Sequence, residues 1–235
     1  KNHKVNTDYV MTMPGGMGTW LAVFDHNGDL AGSISQRPNL MPILGLLEEK
    51  GDEIFANADS VIVEVDMDKD IIKKVVALAK QYNKKLYGVV SNMSIAVERR
   101  DFLKHFDCFI CNQLEAGMLF MEDYADKSPE ELRDILSKRV ILGKIPAMIV
   151  TMGGNGAVYA DVNGEKGICP PQRVRVKDTT GAGDAFCAGV ASGLTYGKTL
   201  SEAVEIGSRL AASVITSSEN VCPRFLQEEF GITLD

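Results

Sequence analysis

No stretch of lysines and arginines builds a basic face in this 235-residue chain, and its formal net charge is −7. That balance excludes an ordinary nucleic-acid binder, so no nucleic-acid partner is expected. No apolar run approaches the ~18 residues that a bilayer span requires. No signal-peptide pattern is present either, so no membrane partner is expected and the cytoplasm is the default location. Histidine is scarce: His3, His26 and His105 are scattered without ligand spacing and read as surface or packing residues. Cysteine is odd in number, at 108, 111, 169, 187 and 222. Cys108 and Cys111 form a CxxC, but no second pair or histidine set completes a zinc site. Buried, reduced thiols are the expectation. An initiator methionine is missing too; the chain opens KNHKV, as a fragment or a processed chain would.

What is present reads as ordinary globular material, 45% hydrophobic and 24% charged, enough for one sizeable core. YVMTM (9–13), TWLAVFD and LAGSIS suggest paired strands, with Asn27-Gly28 as a hairpin signal. From residue 37 the rhythm changes. PILGLLEEKG predicts a helix, and SVIVEV (60–65) is a continuous apolar run suited to a buried parallel strand. Residues 68–83 carry apolar positions at helical spacing. KLYGVV is a strand, VERRDFLKHF a helix and DCFIC a strand. SPEELRDILSKRV is a helix that opens on Ser128-Pro129. AMIVTM (147–152), GAVYA, KGIC and RVRV read as strands, and small-residue helices follow at 183–195 and about 199–216. This alternation predicts an α/β fold: a mostly parallel sheet with helices on both faces, plus a small β-ribbon. The boundaries drawn are a ribbon at 1–36 and a core at 37–235.

The densest chemistry is KDTTGAGDAF (177–186), a glycine corner between a strand and a helix. Ligands of parallel α/β sheets bind beyond the carboxyl ends of the strands. Helix N-termini hold anions through unpaired N–H groups. Gly181, Ala182 and Gly183 would let main-chain amides approach a phosphate, with Asp184 beside it. A carboxylate there suits a general base that takes a proton from an attacking hydroxyl. It equally suits a capped helix start in which Asp184 complements the dipole. The stretch alone does not separate the two. Two others bear on it. TMGGNGA (151–157) is a glycine-rich turn after a strand, and NQLEAG (112–117) pairs Asn112 with Glu115 as in a capping box.

Taken together and in this order, DTTGAGDAFCAGVA, NQLE and TMGGNG resemble the ribokinase/PfkB family of sugar kinases, over essentially the whole chain. VVSNMS followed by VERRD, and the ribbon WLAVFDHNGDLAGSIS, are similar to the pseudouridine kinases within it. The resemblance implies a ribokinase-like fold with the ribbon as a substrate lid, and an ATP-dependent phosphotransfer to a hydroxyl of a sugar or nucleoside, pseudouridine or ribose-like. It implies Asp184 as base, with the amides of Gly181, Ala182 and Gly183 as anion hole. Glu115, with Asn112, would order the water shell of Mg²⁺. Thr151, Gly153 and Gly156 would line ATP, whose adenine would lie between the loop after the last strand and helix 201–216. Asp178 and Thr180 would hold a monovalent cation, K⁺, and a homodimer would form through the lid. It also implies a preceding portion, with further strands and a sugar-binding aspartate, that does not occur in this sequence. A non-catalytic relative that senses a nucleotide or sugar is the competing expectation. A dinucleotide oxidoreductase fits poorly, because GAGDAF lacks the GxGxxG spacing.

Overall fold

The computed structural model describes residues 5–14, 17–24, 30–217 and 225–232. The Asn27-Gly28 turn, Cys222, His3 and His26 lie outside them.

A two-stranded antiparallel ribbon pairs β1 (Thr19–Phe24) with β2 (Leu30–Gln36), Trp20 opposite Ser35. Trp20, Leu21, Val23 and Ile34 are exposed on it. The rest alternates: α1 (Met41–Asn57), β3 (Ser60–Glu64), α2 (Lys69–Gln81), β4 (Lys85–Val89), α3 (Met93–Ala96), β5 (Cys108–Asn112), α4 (Gln113–Phe120), α5 (Pro129–Gly143), β6 (Ala147–Thr151), β7 (Ala157–Asp161), β8 (Lys166–Cys169), α6 (Ala182–Thr195) and α7 (Leu200–Ile215). Six strands form one sheet in the order β3-β4-β5-β6-β7-β8. The first four run parallel, and β7 and β8 return antiparallel.

Period-two alternation divides the core. Val63, Leu86, Phe109, Met148, Val150 and Val158 pack with Leu47 and Phe55 of α1, Ile71 and Ile72 of α2, and Leu132 and Leu136 of α5. Tyr87, Ile110, Ile149 and Tyr159 point the other way, onto Phe186 and Val190 of α6 and Val204 of α7. Helices therefore cover both faces, as the apolar runs predicted. Cys108 belongs to the second side and Cys111 to the first. Both thiols are buried, and their opposite directions keep the CxxC from closing on one ion.

The helices start where the sequence indicated. Ser128 and Glu131 form a reciprocal capping box ahead of Pro129, and Thr199 and Glu202 do the same for α7. Helices α6 and α7 pack through glycines. A Cβ added at Gly189 would sit 2.7 Å from the Cα of Gly207, and one at Gly207 would sit 2.7 Å from the Phe186 carbonyl oxygen.

Three predicted elements differ. Residues 9–13 form no strand; Val10 N–H closes a turn on the Thr7 carbonyl, and no strand pairs beside it among the described residues. RVRV (173–176) is an exposed loop that pairs with no strand among the described residues; Pro170 and Pro171, which lack an N–H, end β8 before it. VERRDFLKHF winds as a 3₁₀ segment, Val97–His105.

Candidate active site

The parallel strands end along one edge. Glu64 is in register with Val89, and Asn112 with Thr151. Helix α6 rises against these ends. Its N-cap Gly181 adopts φ +81°, a left-handed conformation that only glycine enters cheaply. Asp184 lies one turn in and is exposed.

Two cavities flank the start of α6. One, of about 340 Å³, is lined by Ile62, Glu64, Val89, Asn112, Glu115 and Asp184 among others. Cys187 and Ala188, one turn beyond Asp184, complete that wall. The second, of about 650 Å³, is lined by Gly153, Gly154 and Gly156, by the loop 171–176, and by Ala182, Phe186, Ser208 and Ala212. Thr151 and Gly183 line both. The alternation of faces along α6 thus makes that helix the partition, and its first turn the point where the cavities meet.

All the predicted site residues except Asp178, Thr180 and Gly181 line one cavity or the other. Gly181 supplies the αL turn instead. The Ala182 N–H donates to the Thr179 carbonyl at 3.2 Å, while no acceptor meets the N–H of Gly181 or Gly183 among the described residues. Asp178 accepts from Thr180 N–H at 2.8 Å. The Thr180 amide and hydroxyl hold its carboxyl below the usual carboxylate range. The turn therefore accounts for Asp178, and this geometry lends K⁺ binding no support.

Asn112 and Glu115 form the full capping box of α4. Glu115 N–H donates to Asn112 Oδ1 at 2.8 Å, and Asn112 N–H donates to Glu115 Oε2 at 2.7 Å. Burial raises the Glu115 pKa against that hydrogen bond. Cap and cavity wall are compatible roles, because a cap uses one carboxylate oxygen. At the glycine turn, Gly153 (φ +54°) and Gly156 (φ +86°) take left-handed backbone, and a Cβ at Gly156 would fall 2.1 Å from the Cys169 carbonyl oxygen. Burial pushes the Cys187 thiol up to about 12, so this cavity cysteine is a neutral wall rather than a nucleophile.

Two carboxylates escaped the sequence reading. Asp66 is buried and paired with Arg37, which follows the ribbon: Arg37 Nη2 lies 3.7 Å from Asp66 Oδ2 and donates to the Asp66 carbonyl at 2.8 Å. Glu64 projects into the 340 Å³ cavity with its Oε2 buried and without a partner. Its pKa is raised, by burial first and by the charges of Asp66 and Asp184, against the Ser91 hydroxyl and N–H, which pull it down.

The family model for "pfkB family carbohydrate kinase" matches residues 1–222. The chain belongs to the pfkB family of carbohydrate kinases. It is 36% identical over 228 residues to a guanosine-inosine kinase from Exiguobacterium acetylicum, covering 94% of this chain and 72% of that protein. A pseudouridine kinase from Escherichia coli is 24% identical over 223 residues, covering 90% of this chain and 66% of that protein. An Arabidopsis thaliana ribokinase solved with ribose and ATP superimposes with a TM-score of 0.69 at 18% identity, over 87% of this chain and 66% of that one. The pseudouridine-kinase likeness is thus present among the relatives, and identity to the guanosine-inosine kinase is higher. The chain spans about two thirds of the length of these relatives.

Proposed function

We propose that this pfkB-family chain carries the phosphoryl-transfer centre of an ATP-dependent kinase whose acceptor is a hydroxyl of a sugar or nucleoside. One observation carries the reading. Thr151 and Gly183 border both cavities, and Asp184, next in the chain after Gly183, lines the smaller one. ATP lies in the 650 Å³ cavity, its phosphates over the 153–156 turn and its base among Phe186, Ser208, Ala212 and the 171–176 loop. The alcohol lies in the 340 Å³ cavity with the reacting oxygen at Asp184.

Asp184 takes the proton from that oxygen as it attacks phosphorus. The N–H groups of Gly181 and Gly183, at the positive end of α6, face the charge that develops on the transferred group. The Ala182 N–H joins them only if it leaves the Thr179 carbonyl. Among the described residues no group of three carboxylate, cysteine or histidine side chains is placed to ligate a metal directly. That fits Mg²⁺ held through water by Glu115 and by substrate phosphates, where it would neutralise phosphate charge. A homodimer through the ribbon is supported by its exposed Trp20, Leu21, Val23 and Ile34. The exposure of Asp184 in an open cleft favours an enzyme over a nucleotide sensor, which has no use for a base.

The test is ATP turnover against a panel of purine nucleosides, pseudouridine, ribose and hexoses. The wild-type protein is expected to phosphorylate at least one. Asp184→Asn is expected to keep ATP affinity within a few fold while kcat falls by roughly 10²–10⁴, the range for losing a general base. An equal loss of ATP binding contradicts the assigned role.

A further inference from the structure

From the 340 Å³ cavity we infer that Glu64 is an acceptor-binding residue, taking a hydrogen bond from a substrate hydroxyl other than the one phosphorylated, and that the acceptor is uncharged. The inference rests on the kinase reading above and deepens it.

Glu64 ends β3 and points to the α6 side, because Val63 takes the opposite, core-facing direction. Its neighbour Asp66 is satisfied by Arg37, and Glu115 by the Asn112 N–H. Among the described residues the Oε2 of Glu64 alone is a buried side-chain oxygen without a hydrogen-bond partner, even with the Ser91 hydroxyl and N–H acting on the same carboxyl. A buried acceptor left unmade costs free energy, and the cavity that Glu64 lines is where a donor arrives. Ile62, Val89, Ile110 and Ala188 give the same cavity apolar walls. Apolar walls with one buried acceptor suit the C–H face and hydroxyls of a sugar ring. Three carboxylates, Glu64, Glu115 and Asp184, line the cavity, and no lysine or arginine does among the described residues. An acceptor bearing a carboxylate or phosphate would meet like charge without a counterion. A neutral polyol or nucleoside is therefore the substrate class, and sugar acids and sugar phosphates are rejected.

Wild type, Glu64→Gln and Glu64→Ala in the complete polypeptide are compared with the acceptor found in the panel. Each is assayed with its monodeoxy analogues, with a sugar acid and with a sugar phosphate. Glu64→Ala is expected to raise the acceptor KM roughly ten- to a hundredfold, as a lost charged hydrogen bond does. The ATP KM should stay within a factor of about two. One deoxy analogue should be discriminated by wild type and no longer by Glu64→Ala. Glu64→Gln, which keeps an acceptor oxygen and the shape, should fall between. An unchanged acceptor KM in Glu64→Ala, or selectivity among the deoxy analogues that both variants retain, overturns the inference while leaving the kinase reading intact. So does efficient wild-type turnover of the acid or phosphate. Failure of wild type to phosphorylate any panel member overturns both. Melting temperature and ATP affinity of each variant separate a local loss from a folding defect.

Discussion

Asp184 and Glu64 show how far single residues could be read. A carboxylate beside three small residues at a strand-to-helix corner suits a base and a helix-dipole partner equally, and only the company of NQLE and TMGGNG favours the base. The structure places that carboxylate, exposed, on the wall of the 340 Å³ cavity, and its role as a base is the proposal tested above. Glu64 was overlooked because SVIVEV reads as one buried apolar strand, and the period-two pattern draws attention to its valines. The available signal was the reverse: an acid inside an apolar strand has to be charged against burial or kept for a ligand. That conflict is measurable. Burial raises the Glu64 pKa above its ordinary 4.5, so the folded chain binds this proton more tightly than the unfolded chain does. The resulting stabilisation is full below the unfolded value and is lost as pH rises through the folded one. Glu64→Gln removes the ionisation. Its melting temperature is expected to exceed that of wild type at pH 7–8, with the gap closing by about pH 4. A gap that does not change with pH would mean Glu64 is not the titrating group.

At the level of elements, periodicity and caps were legible and edges were not. The α2, α5 and α7 predictions held because each carries a clean 3.6-residue stripe or a capping pair. RVRV failed because alternation alone cannot say whether a neighbouring strand is there to pair with, and the two prolines before it end β8. The loop it forms instead is a wall of the larger cavity. The order of packing along α6 and α7 was legible only as an abundance of small residues. What those residues permit is a main-chain approach that leaves no room for a methyl group. Gly207→Ala puts a Cβ 2.7 Å from the Phe186 carbonyl oxygen, so the helices must part. The expected cost is about 1–3 kcal/mol of overpacking, less a fraction regained from alanine's helix propensity. For a chain of this size that is a fall of roughly 2–10 °C in melting temperature, measurable by calorimetry. Phe186 lines the 650 Å³ cavity on the same helix that carries Asp184, so under the proposed function kcat should drop more than stability alone explains. A variant as stable and as active as wild type would show that the approach is not required.

Over the whole molecule, the sheet order and the meeting of two cavities come from contacts far apart in sequence, which no local pattern records. Glu64 and Asp184 are 120 positions apart, yet they line one space. Motif order supplied the family; the shape of the site needed the fold. Because the cavities share Thr151 and Gly183 at the start of α6, one molecule is expected to reach from one into the other under the proposed function. An acceptor joined to adenosine through an oligophosphate is expected to raise the melting temperature more than saturating ATP and acceptor added separately. It should also compete with each of them in kinetics. Binding that competes with ATP alone would mean the two spaces are not one path.

The bond between Arg37 and Asp66 ties these scales together. The residue after the ribbon, Arg37, pairs with Asp66, two residues past Glu64 at the end of β3. A change in how the ribbon sits is therefore expected to reach the end of β3 through this pair. Under the proposed function the clasp holding the ribbon and the carboxyl facing the sugar would thus share one strand end, so loosening the first is expected to disturb the second.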